Sequence, residues 1–188
     1  MIYGKLIEEK LNKSIRESAH ELLAFGLLLE KDIVYRDENI ASNKWGKPYL
    51  KDYPDVKYSI SHTDGYIACV ISDNMPVGID VERIRDFNEY AARRVCDDAE
   101  RQYIYSSHNP NREFFKLWTL KESYIKAIGK GLSSPMKKAN FILTKDERVK
   151  SNILGCRFAL LEDEADYITA VCYLMNWRIR DHEQLYSI

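Results

Sequence analysis

The sequence lacks the features that mark secreted and membrane-spanning proteins. It contains no apolar run long enough to cross a bilayer, and residues 1–10 carry charges where a signal peptide would be continuously apolar. Its cysteines are widely spaced and form no C-x-x-C pair, so we expect free thiols rather than disulfides or a zinc site. These cysteines are Cys69, Cys96, Cys156 and Cys172. The expected location is the cytoplasm.

The sequence also lacks an excess of charge of either sign. Its 28 lysines and arginines nearly balance 29 aspartates and glutamates, which leaves a net charge of -1. A protein without a general basic field is not expected to bind nucleic acid, and any anionic ligand must be bound by a local group of residues. At 188 residues with 45% hydrophobic content, the chain can bury a core of its own. We expect a monomer that needs no membrane.

Helical and strand patterns are mixed along the chain, which predicts an α+β fold. Helical spacing of apolar residues and capping residues predict helices over 14–31, 88–95, 97–105 and 111–128, the last ending at Gly129. Runs rich in β-branched and aromatic residues predict strands over 56–61, 66–71, 77–81, 141–144, 157–161 and 167–174. No linker separates them, so we expect one compact unit, with an N-terminal half over 1–76 and a C-terminal half over 77–188.

Two short echoes indicate that the halves are related by duplication. The string Ala-Phe-Gly at 24–26 is predicted to end an early helix, as Ala-Ile-Gly at 127–129 ends the late one. The strand YIACV beginning at Tyr66 resembles YITAV beginning at Tyr167. The separations are 103 and 101 residues. A fold of two similar halves usually has its binding site at the seam between them.

The strand around 77–82 carries two carboxylates on one face. The two-residue period of a strand directs Asp80 and Glu82 to the same side as Gly78. Neighbouring carboxylates repel unless a cation or water screens them, and magnesium prefers such oxygen ligands. A solvated strand face is the alternative interpretation of this segment.

The last long helix places Glu122 within its apolar stripe. Phe114, Phe115, Trp118, Ile125 and Ile128 form that stripe at helical spacing. A buried carboxylate is costly without a partner, so Glu122 requires either a metal ion or the Lys126 ammonium one turn later. An ion pair between Glu122 and Lys126 and a ligand role therefore both remain open.

Two further segments carry weaker signals. Ser61 and His62 close a strand just before a turn, where we expect both side chains to be exposed. Lys47, between Gly46 and Pro48, is also expected to be exposed. Turn chemistry alone would explain each segment.

Taken in order, these segments resemble a known family. GKP at 46–48, SISH at 59–62, GIDVE at 78–82 and WTLKESYIK at 118–126 are similar to the four signatures of the surfactin-synthetase-activating type of 4′-phosphopantetheinyl transferase. The resemblance implies a pseudo-dimer of two similar halves with coenzyme A at their seam. It also implies transfer of the phosphopantetheine arm of coenzyme A to a serine of an acyl or peptidyl carrier protein, with release of 3′,5′-ADP.

The resemblance assigns roles to individual residues. It implies that Asp80, Glu82 and Glu122 bind Mg²⁺ and that Lys126 meets phosphate oxygens. The chemistry of the step then makes Glu122, or water bound near it, the expected acceptor of the serine proton. It further implies that the nucleotide end of coenzyme A is bound by Lys47, Pro48, Ser61 and His62. Glu100 is similar in position to a further acidic residue near the family's metal site.

The chain departs from the family pattern on the first helix. Glu21 stands where the family often has an arginine for the coenzyme phosphates, and Lys10, Lys13 or Arg16 would have to supply the missing charge. Two alternatives to a transferase therefore stay open. One is a catalytically weak relative that binds coenzyme A or a carrier protein, and the other is a magnesium-dependent phosphohydrolase that uses water.

Overall fold

Four helices and ten strands make up the regular structure of the part described by the computed structural model, residues 1–7, 14–131, 136–144, 148–162 and 164–175. The helices are α1 (Ile15–Lys31), α2 (Glu89–Val95), α3 (Asp98–Ser106) and α4 (Pro110–Ile128). The first five strands are β1 (Ile2–Leu6), β2 (Ile40–Ser42), β3 (Pro48–Leu50), β4 (Val56–Thr63) and β5 (Tyr66–Asp73). The others are β6 (Val77–Arg83), β7 (Phe141–Leu143), β8 (Val149–Ser151), β9 (Cys156–Leu161) and β10 (Tyr167–Leu174).

The strand topology is the same in the two parts of the chain. A three-stranded antiparallel sheet with the order β1-β5-β4 is repeated as β6-β10-β9, and the hairpin β2-β3 is repeated as β7-β8. One long helix follows the first strand of each set, α1 after β1 and α4 after β6, with α2 and α3 inserted before α4. The predicted α+β class and the pseudo-dimer of similar halves are confirmed. The expected division into an N-terminal half (1–76) and a C-terminal half (77–188) falls between β5 and β6. This division into two halves stays a proposal.

The two sequence echoes have different outcomes. Tyr66 and Tyr167 begin the equivalent strands β5 and β10, and their rings lie 5.0 Å apart between centroids. The prediction that a helix ends at residues 24–26 was wrong, because α1 continues to Lys31. Gly26 instead permits close packing, since a Cβ there would lie 2.8 Å from Cδ1 of Ile71. A glycine inside a helix thus marks a contact with the sheet here, and not a cap.

Capping residues fix the helix ends close to their predicted positions. Ser14 caps α1 in a reciprocal capping box with Glu17, and Asp97 does the same for α3. Gly129 ends α4 in the left-handed conformation, with φ of 66°. On α1, Leu23 and Leu27 are buried in the core, whereas Leu28 is 54% exposed.

The two sheets meet along β4 and β6, through side chains and not through a backbone ladder. Ser59 Oγ accepts a hydrogen bond from the backbone N–H of Ile79 (3.2 Å), and Ser61 Oγ accepts one from Val81 (3.2 Å). Thr63 Oγ1 lies 3.4 Å from the amide nitrogen of Arg83. We call this row, Ser59, Ser61 and Thr63, the hydroxyl seam. It satisfies backbone donors that an edge strand would otherwise leave unpaired.

Behind the hydroxyl seam, the sheets share one apolar cluster. It contains Ala68 and Val70 of β5, Val77, Ile79 and Val81 of β6, and Val171 of β10. The alternation predicted for β6 is therefore present, with Val77, Ile79 and Val81 in the core. Its even-numbered residues are left to face α4.

Two further observations concern the expectations from composition. Cys69, Cys96 and Cys172 are buried free thiols, and Cys156 is a half-buried one. Over the described ranges, no helix combines the length and apolar character required to span a bilayer.

Candidate active site

The site is built where α4 lies directly on β6. Gly78 makes this approach possible, because a Cβ at that position would lie 2.0 Å from the carbonyl oxygen of Ser123 and 2.4 Å from the amide nitrogen of Ala127. Since side chains two residues apart share a face, Asp80 and Glu82 extend toward the same helix. The helix turns that contain Glu122 and Lys126 are thereby brought against the two strand carboxylates.

Asp80 is the most deeply buried member of this group, at 4% exposure. Its Oδ1 accepts hydrogen bonds from Lys126 Nζ (2.7 Å) and Ser61 Oγ (3.0 Å). Desolvation raises the pKa of Asp80, while the Lys126 ammonium and the Ser61 hydroxyl lower it. Lys126 therefore pairs with Asp80 and not with Glu122, so the intrahelical ion pair considered for Glu122 and Lys126 does not form.

Glu82 and Glu122 are half-buried carboxylates, and desolvation followed by the Asp80 charge raises the pKa of each. Desolvation and the Asp80 charge raise the pKa of Glu82, against the opposing effect of Arg85, whose Nη1 lies 3.0 Å from Glu82 Oε2. The pKa of Glu122 is raised from 4.5 to about 7, first by desolvation and then by Asp80, with Lys126 opposing. Three carboxylates thus share one site with two cationic side chains, Lys126 on Asp80 and Arg85 on Glu82.

The donor set fits a divalent cation by its chemistry. Asp80 Oδ2 is buried and accepts no hydrogen bond within the described part of the chain, although a buried carboxylate oxygen normally has a partner. The carboxylates of Asp80, Glu82 and Glu122 are hard oxygen ligands of the kind that Mg²⁺ prefers. Their side chains are not pre-arranged as a metal cage: over the described residues, no three acidic, histidine or cysteine side chains are grouped closely enough for that.

Ser61 and His62 are placed differently from each other. Ser61 is 5% exposed, so the expectation that it is exposed was wrong. Its Oγ donates to Asp80, accepts from the Val81 amide and accepts from Lys126 Nζ at 2.7 Å. His62 is exposed as expected, and the alternation of β4 directs it to the opposite face. The structure brings Ser61, but not His62, to the carboxylate group.

The expectation that Lys47 is exposed was also wrong, because protein groups enclose its ammonium. Its Nζ donates to three backbone carbonyls, those of Val77 (3.0 Å), Lys126 (2.6 Å) and Ala127 (3.0 Å). Desolvation lowers the pKa of Lys47 to about 8. Sequence reasoning missed this arrangement because the acceptors are backbone groups from a distant part of the chain.

A cavity of about 280 Å³ lies beside these groups. Trp45 and Lys47 of the β2–β3 connection line it, together with Pro48 at the start of β3 and with Glu122 and Lys126 of α4. Four of the predicted site residues therefore border one space at the seam between the halves. The cavity is large enough for part of a ligand to lie against the carboxylates.

Glu100 does not join this group. It is 4% exposed, and its Oε2 lies 2.8 Å from Nζ of Lys121, which is fully buried. Its Oε1 accepts from the backbone amide of Phe141 at 3.0 Å. This buried ion pair ties α3 to α4 and β7. Sequence reasoning missed Lys121, although a lysine between Leu120 and Glu122 in an apolar helix was a signal that it needed a buried partner.

The first helix carries the departure from the family pattern on its exposed surface. Glu21 and Arg16 are exposed on α1. Lys10 and Lys13, considered as sources of the missing charge, lie outside the described residues.

Comparison with known proteins identifies one family. The model of the 4′-phosphopantetheinyl transferase superfamily matches residues 76–172. The 4′-phosphopantetheinyl transferase gsp of Aneurinibacillus migulanus is 39% identical over 128 residues, 64% of this chain and 53% of that protein. The transferase Sfp of Bacillus subtilis strain 168 is 29% identical over 170 residues, 84% of this chain and 75% of that protein. The transferase ffp of Bacillus subtilis is 30% identical over 169 residues, with coverage of 84% and 75%.

Solved structures were compared as well. Holo-acyl-carrier-protein synthase of Thermotoga maritima gives a TM-score of 0.46 at 20% identity, covering 53% of this chain and 63% of that chain.

The chain does not span the full length of its sequence relatives. Its match to the transferase gsp covers only about half of that protein, 53%.

Proposed function

Because the chain belongs to the 4′-phosphopantetheinyl transferase superfamily, we propose that it transfers the phosphopantetheine arm of coenzyme A to a serine of an apo acyl or peptidyl carrier protein, releasing 3′,5′-ADP. The observation that carries the proposal is the meeting of Asp80, Glu82, Glu122 and Lys126 where α4 lies on β6. We further propose that the protein acts as a cytoplasmic monomer and involves neither nucleic acid nor a membrane.

The proposed metal ligands are Asp80, Glu82 and Glu122. Three carboxylates beside two cations, Lys126 and Arg85, and the unbonded Oδ2 of Asp80 support a Mg²⁺ site here. When bound, Mg²⁺ would neutralise charge on the pyrophosphate of coenzyme A. We propose Pro48, Ser61 and His62 as the family's nucleotide-binding positions, with His62 facing solvent and free of the contacts that engage Ser61. Lys47, which the resemblance groups with them, donates all three of its N–H groups to backbone carbonyls, so we do not propose a contact from its ammonium to a phosphate.

The reaction forms one bond and breaks another. The serine oxygen of the carrier attacks the β-phosphorus, on the pantetheine side, while the bond from that phosphorus to the bridging oxygen of 3′,5′-ADP breaks. The Lys126 ammonium stabilises negative charge on the phosphate oxygens. Glu122, or water bound near it, accepts the serine proton.

Mass spectrometry tests this function directly. Apo carrier proteins of the acyl and peptidyl types are incubated with the protein, coenzyme A and Mg²⁺, and a chelator-treated sample is the matched control. We expect a carrier to gain the mass of one phosphopantetheine arm only when the metal is present. Coenzyme A cleavage without any carrier would support a phosphohydrolase instead. Binding of coenzyme A with no release of 3′,5′-ADP would support the catalytically weak relative.

A further inference from the structure

The connection between β2 and β3 is fastened to the end of α4, which belongs to the other half of the fold. Asn43 shapes this connection, because its Oδ1 accepts from the backbone amides of Trp45 (2.9 Å) and Lys47 (2.9 Å). Its Nδ2 donates to the carbonyl of Gly129 at 2.9 Å. The backbone before Lys47 is therefore held in place at the helix end.

Lys47 adds a stronger connection at the same point. A lysine ammonium has three N–H donors, and here it has three carbonyl acceptors, on Val77, Lys126 and Ala127. Two of these carbonyls are in the last turn of α4, where helical carbonyls lack intrahelical partners and a positive charge is favourable. With all three donors engaged, Lys47 has no N–H left for a ligand phosphate.

The acceptors belong to the two elements that carry the proposed site. Val77 begins β6, three residues before Asp80, and Lys126 is itself bonded to Asp80 through its own ammonium. We propose that Lys47 is a positioning residue that fixes the end of α4 against the start of β6, and so sets the placement of Lys126 and Glu122 relative to Asp80. This inference rests on the proposed transferase function.

Close packing around Lys47 supports a positioning role. At Gly78 the backbone of β6 touches the backbone of α4, so a small slide of the helix would alter every distance in the site. At Gly129 an added Cβ would lie 2.7 Å from Cδ of Lys47, which leaves the lysine stem little freedom. The lowered pKa of Lys47, about 8, agrees with an ammonium that is enclosed by the protein.

Steady-state kinetics of Lys47→Met separate positioning from substrate contact. Misplacement of catalytic groups acts on turnover, so we expect kcat to fall by roughly 10- to 100-fold while KM for coenzyme A changes by less than about twofold. Lys44→Met is the matched control, since Lys44 is exposed in the same connection with its Nζ 4.2 Å from the Trp45 ring centroid. The control should keep wild-type kcat. A raised KM with unchanged kcat for Lys47→Met would overturn the proposal.

Lys47→Arg provides a second variant in case Lys47→Met does not fold. Arginine keeps the positive charge but cannot reproduce the geometry of a compact ammonium among three carbonyls. A positioning role therefore predicts a lower kcat for this variant. Wild-type kcat in Lys47→Arg would show that charge alone matters and would contradict the proposal.

Hydrogen exchange of the ligand-free protein tests the positioning independently of transferase activity. The amide of Gly129 donates to the carbonyl of Ile125 at 3.0 Å in the last turn of α4. We expect this amide to exchange faster in Lys47→Met than in the wild type or in Lys44→Met. Unchanged protection would refute the positioning role. If exchange accelerates but the wild type modifies no carrier, the positioning stands and the proposed function fails.

Discussion

Replacing Glu122 by Gln should stabilise the metal-free protein at alkaline pH and change its stability little at acidic pH. Burial and the Asp80 charge raise the pKa of Glu122 in the folded protein from 4.5 to about 7. The unfolded chain releases the Glu122 proton above pH 4.5, whereas the folded protein retains it up to about pH 7. The free energy of unfolding is therefore highest below pH 4.5 and decreases as the pH rises through 7. A neutral glutamine has no such dependence.

The size of the effect follows from the shift. The difference between 4.5 and about 7 corresponds to roughly 3 kcal/mol at 1.4 kcal/mol per pKa unit. Because Glu122 is only half-buried, solvent screening reduces this value, and we expect about 1–2 kcal/mol at pH 8. For a chain of this size, that corresponds to a rise in melting temperature of roughly 2–8 °C. At pH 5 the expected gain is about a quarter as large.

Thermal melting in the presence of a chelator, at pH 5 and pH 8, measures this difference. Glu38→Gln is the control for the loss of one negative charge, since Glu38 is exposed and forms only a surface ion pair with Arg36. Adding Mg²⁺ should stabilise the wild type more than Glu122→Gln, because the variant has lost a proposed ligand. Equal melting temperatures for the wild type and Glu122→Gln at pH 8 would refute the inferred repulsion.

Three further variants address the metal, the nucleotide and the packing of the site. Asp80→Ala should abolish carrier modification at ordinary Mg²⁺ concentrations while the fold survives; near-normal turnover after chelator treatment would eliminate the proposed metal site. His62→Ala should raise KM for coenzyme A and weaken the preference over its 3′-dephospho form, and an unaltered preference would argue against a phosphate contact. Gly78→Ala should lower the free energy of unfolding by about 1–3 kcal/mol, because the alanine Cβ would overlap the backbone of α4. Urea unfolding measures this loss, and a midpoint equal to that of the wild type would contradict the close approach of β6 and α4.

The local parts of the fold could be predicted from the sequence. Capping residues and helical spacing located α1 to α4 to within a residue or two, and the alternation in β6 gave the faces of Asp80 and Glu82 correctly. The strands β1, β2, β3 and β8 were missed. Three of them have only three residues each, and β1 forms by pairing with β5, as in Ile2 with Val70, which no local pattern contains.

The partners of the site residues could not be predicted in the same way. Whether Lys126 pairs with Glu122 or with Asp80 depends on how closely α4 approaches β6, which Gly78 determines only in the folded protein. Lys47 and Ser61 were expected to be exposed because polar residues near turns usually are. Their burial is tolerated since each is bonded to backbone groups of the other half.

The hydroxyl seam bears on whether the C-terminal half could exist alone. Without Ser59 and Ser61, the backbone amides of Ile79 and Val81 on β6 would lose these hydrogen-bond acceptors. A strand edge with unpaired backbone donors recruits further strands and favours aggregation. A separately produced C-terminal half would therefore be prone to associate through the edge of β6.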